Sequence, residues 1–282
     1  MKIVQIDRID FAWPDGWADL CFETKVQVAK LSTGLSSFKG TDEVLVWREI
    51  FRIIMMTGWI EGKRAWKRWW SSLSLSFEQF EELKKITDWV AEKPNGKPFD
   101  HFDYAGERYY VLPERFQNVS SAEWVEGIMD FIALGSENDD KSLDLLIANF
   151  QRPERADLET FRGSEKWNGD VREVYNRQRA LERAEHLQGL DAGIKIQLLW
   201  WYEAQITAFF EEFEDLFRGG DGEARYPDGR GYLMLLKNVA KQAYMGNFET
   251  VCATDVITVF AMLTDEVYDA QETEDRIKNK GK

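Results

Sequence analysis

Cysteine, histidine and proline are scarce in this chain. Cys21 and Cys252 are its two cysteines in 282 residues. Two are too few for a disulfide framework, and a reducing compartment fits. Neither has a histidine close in sequence, so the ordinary role of a small buried hydrophobe is favoured over a thiol nucleophile. His101 and His186 are the two histidines. Strand alternation around Asp100-His101-Phe102-Asp103 sends the two carboxylates to opposite faces, which suits one metal poorly. His186 stands in a charged helical stretch with no second ligand nearby. No metal, cofactor or catalytic residue is therefore expected. Basic charge is also short: 36 Lys and Arg against 50 Asp and Glu leave a net charge of −14. A general nucleic-acid binder should be basic, so no specific nucleic acid is expected. No apolar run approaches the ~18 residues of a membrane span. The opening MKIVQIDRIDFAWP has no signal-peptide core. A soluble cytoplasmic protein is the expectation. Gly219-Gly220-Asp221-Gly222 lacks the Lys-Ser/Thr of a phosphate-binding loop.

Hydrophobic residues, by contrast, make up 44% of the chain and aromatics 14%, with 12 tryptophans. Global disorder is excluded by that composition, and so many indoles need burial at home or on a partner. Six prolines and long periodic runs predict a mainly α protein, a multi-helix orthogonal bundle with a small β-hairpin and short strands. Its centre is Ile194 to Phe217. There Leu199, Tyr202, Ile206, Phe209, Phe213 and Leu216 form one helical stripe, widened by Trp200, Trp201, Phe210 and Phe217. Asp191 is placed to cap this helix and Gly219-Gly220 to stop it. Glu211-Glu212 and Glu214-Asp215 read as its solvated face rather than as paired catalytic carboxylates.

Two domains are expected: 1–93, helical with one short strand over Ile3–Phe11, and 98–282, helical and opening with a hairpin. Lys93-Pro94-Asn95-Gly96-Lys97-Pro98 separates them as the strongest breaker. In the first domain, helices are predicted over Phe22–Leu35, Glu43–Thr57 with Asp42 as cap, and Phe77–Glu92 with a Ser76/Gln79 capping box. In the second, Phe99–Tyr104 and Glu107–Leu112 form the hairpin. Helices follow over Ser120–Ala133 and Leu143–Phe150, the latter ended by Arg152-Pro153. Glu154–Asn168 reads as irregular, and Asp170 is placed to cap a helix over Val171–Leu187. Helices are also predicted over Gly231–Tyr244 and over Glu249–Asp269, broken near Ala253-Thr254-Asp255, before a fraying tail. Phe11–Cys21 can be laid on Tyr110–Ser120: aromatic, two apolar, Pro, acid, any, aromatic, any, Asx, apolar, small. The shared pattern is a strand ended by Pro, an aromatic plug and a capped helix.

Trp59 to Trp70 interleaves Lys63, Arg64, Lys67 and Arg68 with tryptophans. Such a stretch suits a phosphate or lipid-interface patch; equally it suits a core helix with long cations lying along it.

Three blocks carry a resemblance. One is Tyr109-Tyr110-Val111-Leu112-Pro113 with Phe116, Asn118-Val119-Ser120 and Glu123-Trp124. The next is Leu143–Ala148 followed by Arg152-Pro153. The third is Arg183–Leu187, Leu190-Asp191, Ile194 and Trp200-Trp201-Tyr202. In that order, ahead of a helical end like Gly231-Tyr232 to Asn247-Phe248, they resemble acidic helical proteins of tailed-phage and prophage tail-gene clusters. Those lie near the tape-measure gene and look like tail-assembly chaperones. The resemblance spans about residues 105–270, and the region before Lys93 departs from it.

What it implies is a non-enzymatic tail-assembly protein of the host cytoplasm, with a protein partner such as the tape-measure or another tail protein. The residues expected to bind are Trp200, Trp201, Phe209, Phe210, Val256, Val259, Phe260 and Leu263; plain core is the competing reading for all of them. A structural virion or connector component is the alternative function, and an enzyme with a site assembled from distant residues a further one. The sequence leaves the oligomeric state open.

Overall fold

The computed structural model describes residues 1–6, 9–57, 75–137, 140–217, 226–242 and 245–280. The chain is mainly α, with two small antiparallel sheets. In chain order the elements begin with β1 (Lys2–Ile6), β2 (Ile9–Trp13), α1 (Phe22–Ser32), α2 (Thr41–Thr57) and α3 (Phe77–Ile86). Next come β3 (His101–Tyr104), β4 (Glu107–Tyr110), α4 (Ser121–Glu137), α5 (Asp140–Phe150), β5 (Arg152–Pro153), α6 (Leu158–Arg162) and α7 (Arg177–His186). The last are α8 (Ala192–Glu212), α9 (Glu214–Phe217), α10 (Arg230–Gln242), α11 (Phe248–Ala253) and α12 (Val256–Lys280). No described helix is long and apolar enough to cross a membrane. Contacts divide the chain into two compact units, Met1–Phe99 with Leu190–Trp201, and Asp100–Gly189 with Tyr202–Lys282. The division falls inside α8, so the predicted central helix is shared between them.

The first unit is closed by aromatic packing. Its rings interlock in a chain: Trp13 on Phe51 at 5.9 Å, Trp47 on Phe51 at 5.6 Å, Phe51 on Phe80 at 5.5 Å. Indole N–H groups need acceptors once buried. Trp13 Nε1 donates to Thr87 Oγ1 at 2.9 Å, and Thr87 Oγ1 donates to the Leu83 carbonyl. Trp17 Nε1 donates to the Glu92 carbonyl at 3.0 Å. The predicted capping box is present, Ser76 and Gln79 bonding each other's backbone amides. At the start of α8, Asp191 Oδ1 accepts the Gly193 amide at 2.8 Å, as a cap should. Gly193 is there for space: a Cβ would lie 2.0 Å from the Val26 carbonyl oxygen of α1. Two strands in antiparallel register, Lys2 opposite Trp13 and Ile6 opposite Ile9, replace the one strand expected over Ile3–Phe11. The imperfect alternation fits this: Ile3 and Ile6, three residues apart, point to opposite faces, Ile3 exposed and Ile6 buried. Helix α2 begins at Thr41, so Asp42 sits in its first turn instead of capping it. Helix α3 ends at Ile86, short of Glu92, and a 3₁₀ turn over Asp88–Ala91 follows.

The second unit opens with the predicted hairpin, β3 on β4, turned by Ala105-Gly106 with φ of 51° and 88°. Two positive φ values belong to the tight turn whose twist matches its strands. Arg152-Pro153 ends α5 and then pairs with Tyr109-Tyr110 as the third strand. Helix α4 packs on α5, and α5 on α7. Trp124 of α4 lies at the middle of the core, 4.8 Å from the Phe209 ring and 5.1 Å from both Tyr232 and Phe260. Gly127 makes room for Phe150, whose ring would be 2.3 Å from a Cβ there.

The repeated sequence pattern has a repeated local structure. In each case a strand (β2 or β4) passes through Pro14 or Pro113 into a 3₁₀ turn that buries Trp17 or Phe116, and then into a helix. The caps differ. Ser120 Oγ accepts the Glu123 amide, whereas the Cys21 side chain makes no capping bond.

Further predicted segments differ in the structure, among them Glu154–Asn168, expected to be irregular, which holds the short helix α6. Helix α7 begins at Arg177, capped by Asn176, not at Val171. Asp170 instead turns the chain by accepting the Arg172 amide. Helix α8 is buried on nearly all sides from Gly193 to Ile206, including Gln197 and Gln205, so it has no single apolar stripe there. Helix α12 continues to Lys280, where fraying was expected.

Candidate docking groove

The longest polar stretch of the second unit organises a buried set of ions. Glu123 of α4, Arg152 of β5 and Arg172 have side chains exposed by only 1–3%. Arg152 approaches Glu123 Oε1 at 3.1 Å, and Arg172 approaches the same oxygen at 3.5 Å. Arg172 also donates to both carboxylate oxygens of Asp170, at 2.9 and 3.0 Å, and to the Phe150 carbonyl at 3.0 Å. Burial pushes the Glu123 carboxyl up, with both guanidiniums opposing the shift. Burial pushes Arg152 down to about 10. Its Nε is a buried donor with no hydrogen-bond partner. Beside this cluster, Arg177 grips Asp130 with two bonds of 2.8 and 2.9 Å. Arg183 donates to the Ala148 carbonyl at 2.6 Å and pairs with Glu173.

The cluster ties β5 and the residues ahead of α7 to α4 and α5. It is a brace, since its charges face one another inside the unit. Periodicity misses it, because the segment carrying the arginines has none. One compositional signal was available: between Gln151 and Arg183 there are seven arginines and one lysine. A planar guanidinium satisfies several buried acceptors at once, and an ammonium does not.

Further along the same unit, α10 and α12 leave an apolar groove of about 360 Å³. It is lined by Tyr226, Met234, Leu235, Val239 and Leu263, with Asn238 and Gln242 at its edge. Local chemistry sets α10 in place. Gly229 has φ of 83°, and a Cβ there would come within 2.9 Å of Ile132. Leu236 and Val239 then bury inward, while Met234 and Leu235 stay half-buried. Arg230, Lys237 and Lys241 are exposed, and α10 carries no acid. A smaller recess of about 330 Å³ lies in the first unit, walled by Trp47, Trp200, Leu35 and Val90. The Lys84–Glu43 ion pair stands at its rim.

Of the residues expected to bind a partner, Trp200, Trp201, Phe209, Val256, Val259 and Phe260 are buried. Phe210 is half-buried and lies 4.7 Å from Phe217, ring to ring. Leu263 is half-buried and lines the groove. The structure does not gather the eight on one open face. Trp200 and Trp201 belong to the first unit and the other six to the second. Aromatic stripes serve the core here because helices cover α8 from several sides, a fact its own periodicity does not encode. Met234 and Leu235, which do line the groove, were missed because the apolar face the spacing picks out on this helix runs through Leu233, Leu236 and Val239. Lys63, Arg64, Lys67 and Arg68 lie outside the described residues. His101 and His186 are exposed, and both cysteines are free. Among the described residues, no group of three or more His, Cys, Asp or Glu is placed to hold a metal ion.

No protein family, curated protein or solved structure matches the chain.

Proposed function

We propose that this chain is a non-enzymatic assembly protein that holds an α-helical segment of a protein client. Its closest functional likeness is to tail-assembly chaperones of tailed phages and prophages, working in the host cytoplasm. The observation that carries the reading is the α10–α12 groove, an apolar trough lined by Met234, Leu235 and Leu263. A trough of that kind suits the apolar face of an amphipathic helix, and methionine adapts its shape to different sequences. The strong net acidity of the rest of the chain supports the same reading, by keeping a complex with an apolar client dispersed. The tape-measure protein is the client proposed by the sequence resemblance.

Co-expression with the tape-measure protein of the same gene cluster tests the proposal. The client's soluble fraction should rise with the wild-type chain and fall back with Met234→Gln and Leu263→Gln. No change in client solubility with the wild-type chain would remove the chaperone role. Solubility retained by both variants would remove the groove from it.

A further inference from the structure

The recess of the first unit carries chemistry that holding a client helix does not use, and it shares no residue with the α10–α12 groove. Its apolar wall is Trp47, Trp200, Leu35 and Val90, each less than a tenth exposed. The two indoles are held in place. Trp17 packs edge-on against Trp200, ring centres 5.5 Å apart, and its Nε1 donates to the carbonyl of Glu92, which also lines the recess. Trp47 packs on Phe51 at 5.6 Å. Glu43 stands four residues before Trp47 on α2, so the two share a helix face at the recess. Lys84 of α3 meets both: its Nζ donates to Glu43 Oε1 at 2.6 Å and lies 5.8 Å from the centre of the Trp47 ring.

These charges keep capacity for a ligand. An ammonium has three donors and a carboxylate two acceptor oxygens. Among the described residues, Lys84 and Glu43 make one hydrogen bond each, to one another, and both are about a third exposed. The Glu92 carboxylate is exposed and has no ion-pair partner among the described residues, and Lys93 lines the recess beside it. An aromatic wall is thus rimmed by charges of both signs. A simple anion would face Glu43 and Glu92, and a simple cation Lys84 and Lys93. A neutral apolar molecule would leave the rim unused. A small apolar body carrying an ammonium and a carboxylate side by side meets wall and rim together. The volume of about 330 Å³ lies at the low end for ligand cavities, which favours a single residue over a peptide or a nucleotide. We propose that this recess binds a free α-amino acid with a large apolar side chain. The side chain lies against Trp47 and Trp200, the carboxylate takes the spare donors of Lys84, and the ammonium meets Glu92. An aromatic side chain gains further from edge and face contacts with the indoles.

The test is a ligand-observed NMR titration of the full chain with L-phenylalanine, L-leucine and L-tryptophan. Three further probes each lack one part of L-phenylalanine: phenethylamine the carboxylate, 3-phenylpropanoate the ammonium, and glycine the side chain. At least one of the apolar amino acids should bind with a Kd of roughly 1 mM or tighter, as expected of about a dozen heavy atoms in a partly enclosed site. Each incomplete probe should bind at least about tenfold more weakly, the worth of a charged hydrogen bond or of a buried apolar side chain. Two variants assign the charges. Lys84→Met should weaken L-phenylalanine by about tenfold and leave phenethylamine unchanged, since that probe has no carboxylate to lose a partner. Glu92→Gln should weaken L-phenylalanine likewise and leave 3-phenylpropanoate unchanged. Neither position is buried, and circular dichroism checks that each variant keeps its helices. No binding of any of the three amino acids below about 10 mM overturns the inference. So does equal affinity for a probe lacking one charge, and so does a variant that weakens every probe alike. Client solubility is read separately with the groove variants, so failure of either proposal leaves the other standing.

Discussion

The unit of Met1–Phe99 and Leu190–Trp201 buries tryptophan and phenylalanine rings, whereas that of Asp100–Gly189 and Tyr202–Lys282 buries rings and ions side by side. In the first, the buried indole N–H groups of Trp13 and Trp17 and the Thr87 hydroxyl find near acceptors, while the buried Trp89 Nε1 has no hydrogen-bond partner. In the second, Glu123, Arg152 and Arg172 are enclosed as charges. Rings reward burial by area and tolerate small shifts. Ions reward it only when geometry and pairing are complete, because each loses water on entering. The second unit is therefore the more specific in its internal pairing and the less forgiving of single losses.

Glu123→Ala and Phe51→Ala are the strongest tests of that contrast. Removing Glu123 takes from buried Arg152 its nearest carboxylate and leaves Arg172 with Asp170 alone, and should cost about 3–5 kcal/mol. Removing Phe51 leaves a cavity among rings and should also cost about 3–5 kcal/mol. Repacking then separates them. Phe51→Leu should recover most of the loss, while Glu123→Gln should recover little, because charge and not volume is missing. Urea unfolding, with amide exchange read separately for α2 and α4, checks both; recovery by Glu123→Gln would mean the cluster is held by packing.

Gly193→Ala comes next. The added methyl meets the Val26 carbonyl, and backbone has to move, so a loss of about 1–3 kcal/mol is expected. An unchanged thermal midpoint would show that α1 and α8 have slack at this crossing.

Asp191→Ala should have the smallest effect, about 1 kcal/mol, as for a helix cap. Burial tends to raise the Asp191 carboxyl, but Lys30 at 2.6 Å and the Gly193 amide outweigh it and hold it below its usual range. A carboxylate lowered on folding contributes above its unfolded value of about 3.9, and loses that contribution as pH falls through the folded value. The gap between wild type and Asp191→Ala should thus be full near neutrality and close below about pH 4. A gap that persists into stronger acid would assign the effect to helix propensity instead.

Much of the first unit was legible because its signals are local. Ser76 and Gln79 are three residues apart, and Asp191 caps an amide two residues on. The Ala105-Gly106 turn and the breaks after Phe150 and Ala253 were readable for the same reason. The residues before α7 were not. Arg172 meets Glu123 across 49 positions of chain, and no window of sequence contains both. The candidate groove was half legible. Leu263 fell on a predicted apolar stripe, but Met234 and Leu235 acquire meaning only once Leu236 and Val239 have turned inward.

By itself the amino-acid order determined that the chain is mainly α, where several helices are capped or broken, and that its aromatic content needs burial. These depend on caps, breakers and spacing within a turn or two. Only the tertiary structure decided which apolar residues became core, which were left lining a trough, and which charges were enclosed. Burial is a property of what comes to lie opposite, and for α8, Arg172 and Leu263 the opposing groups are distant in the chain.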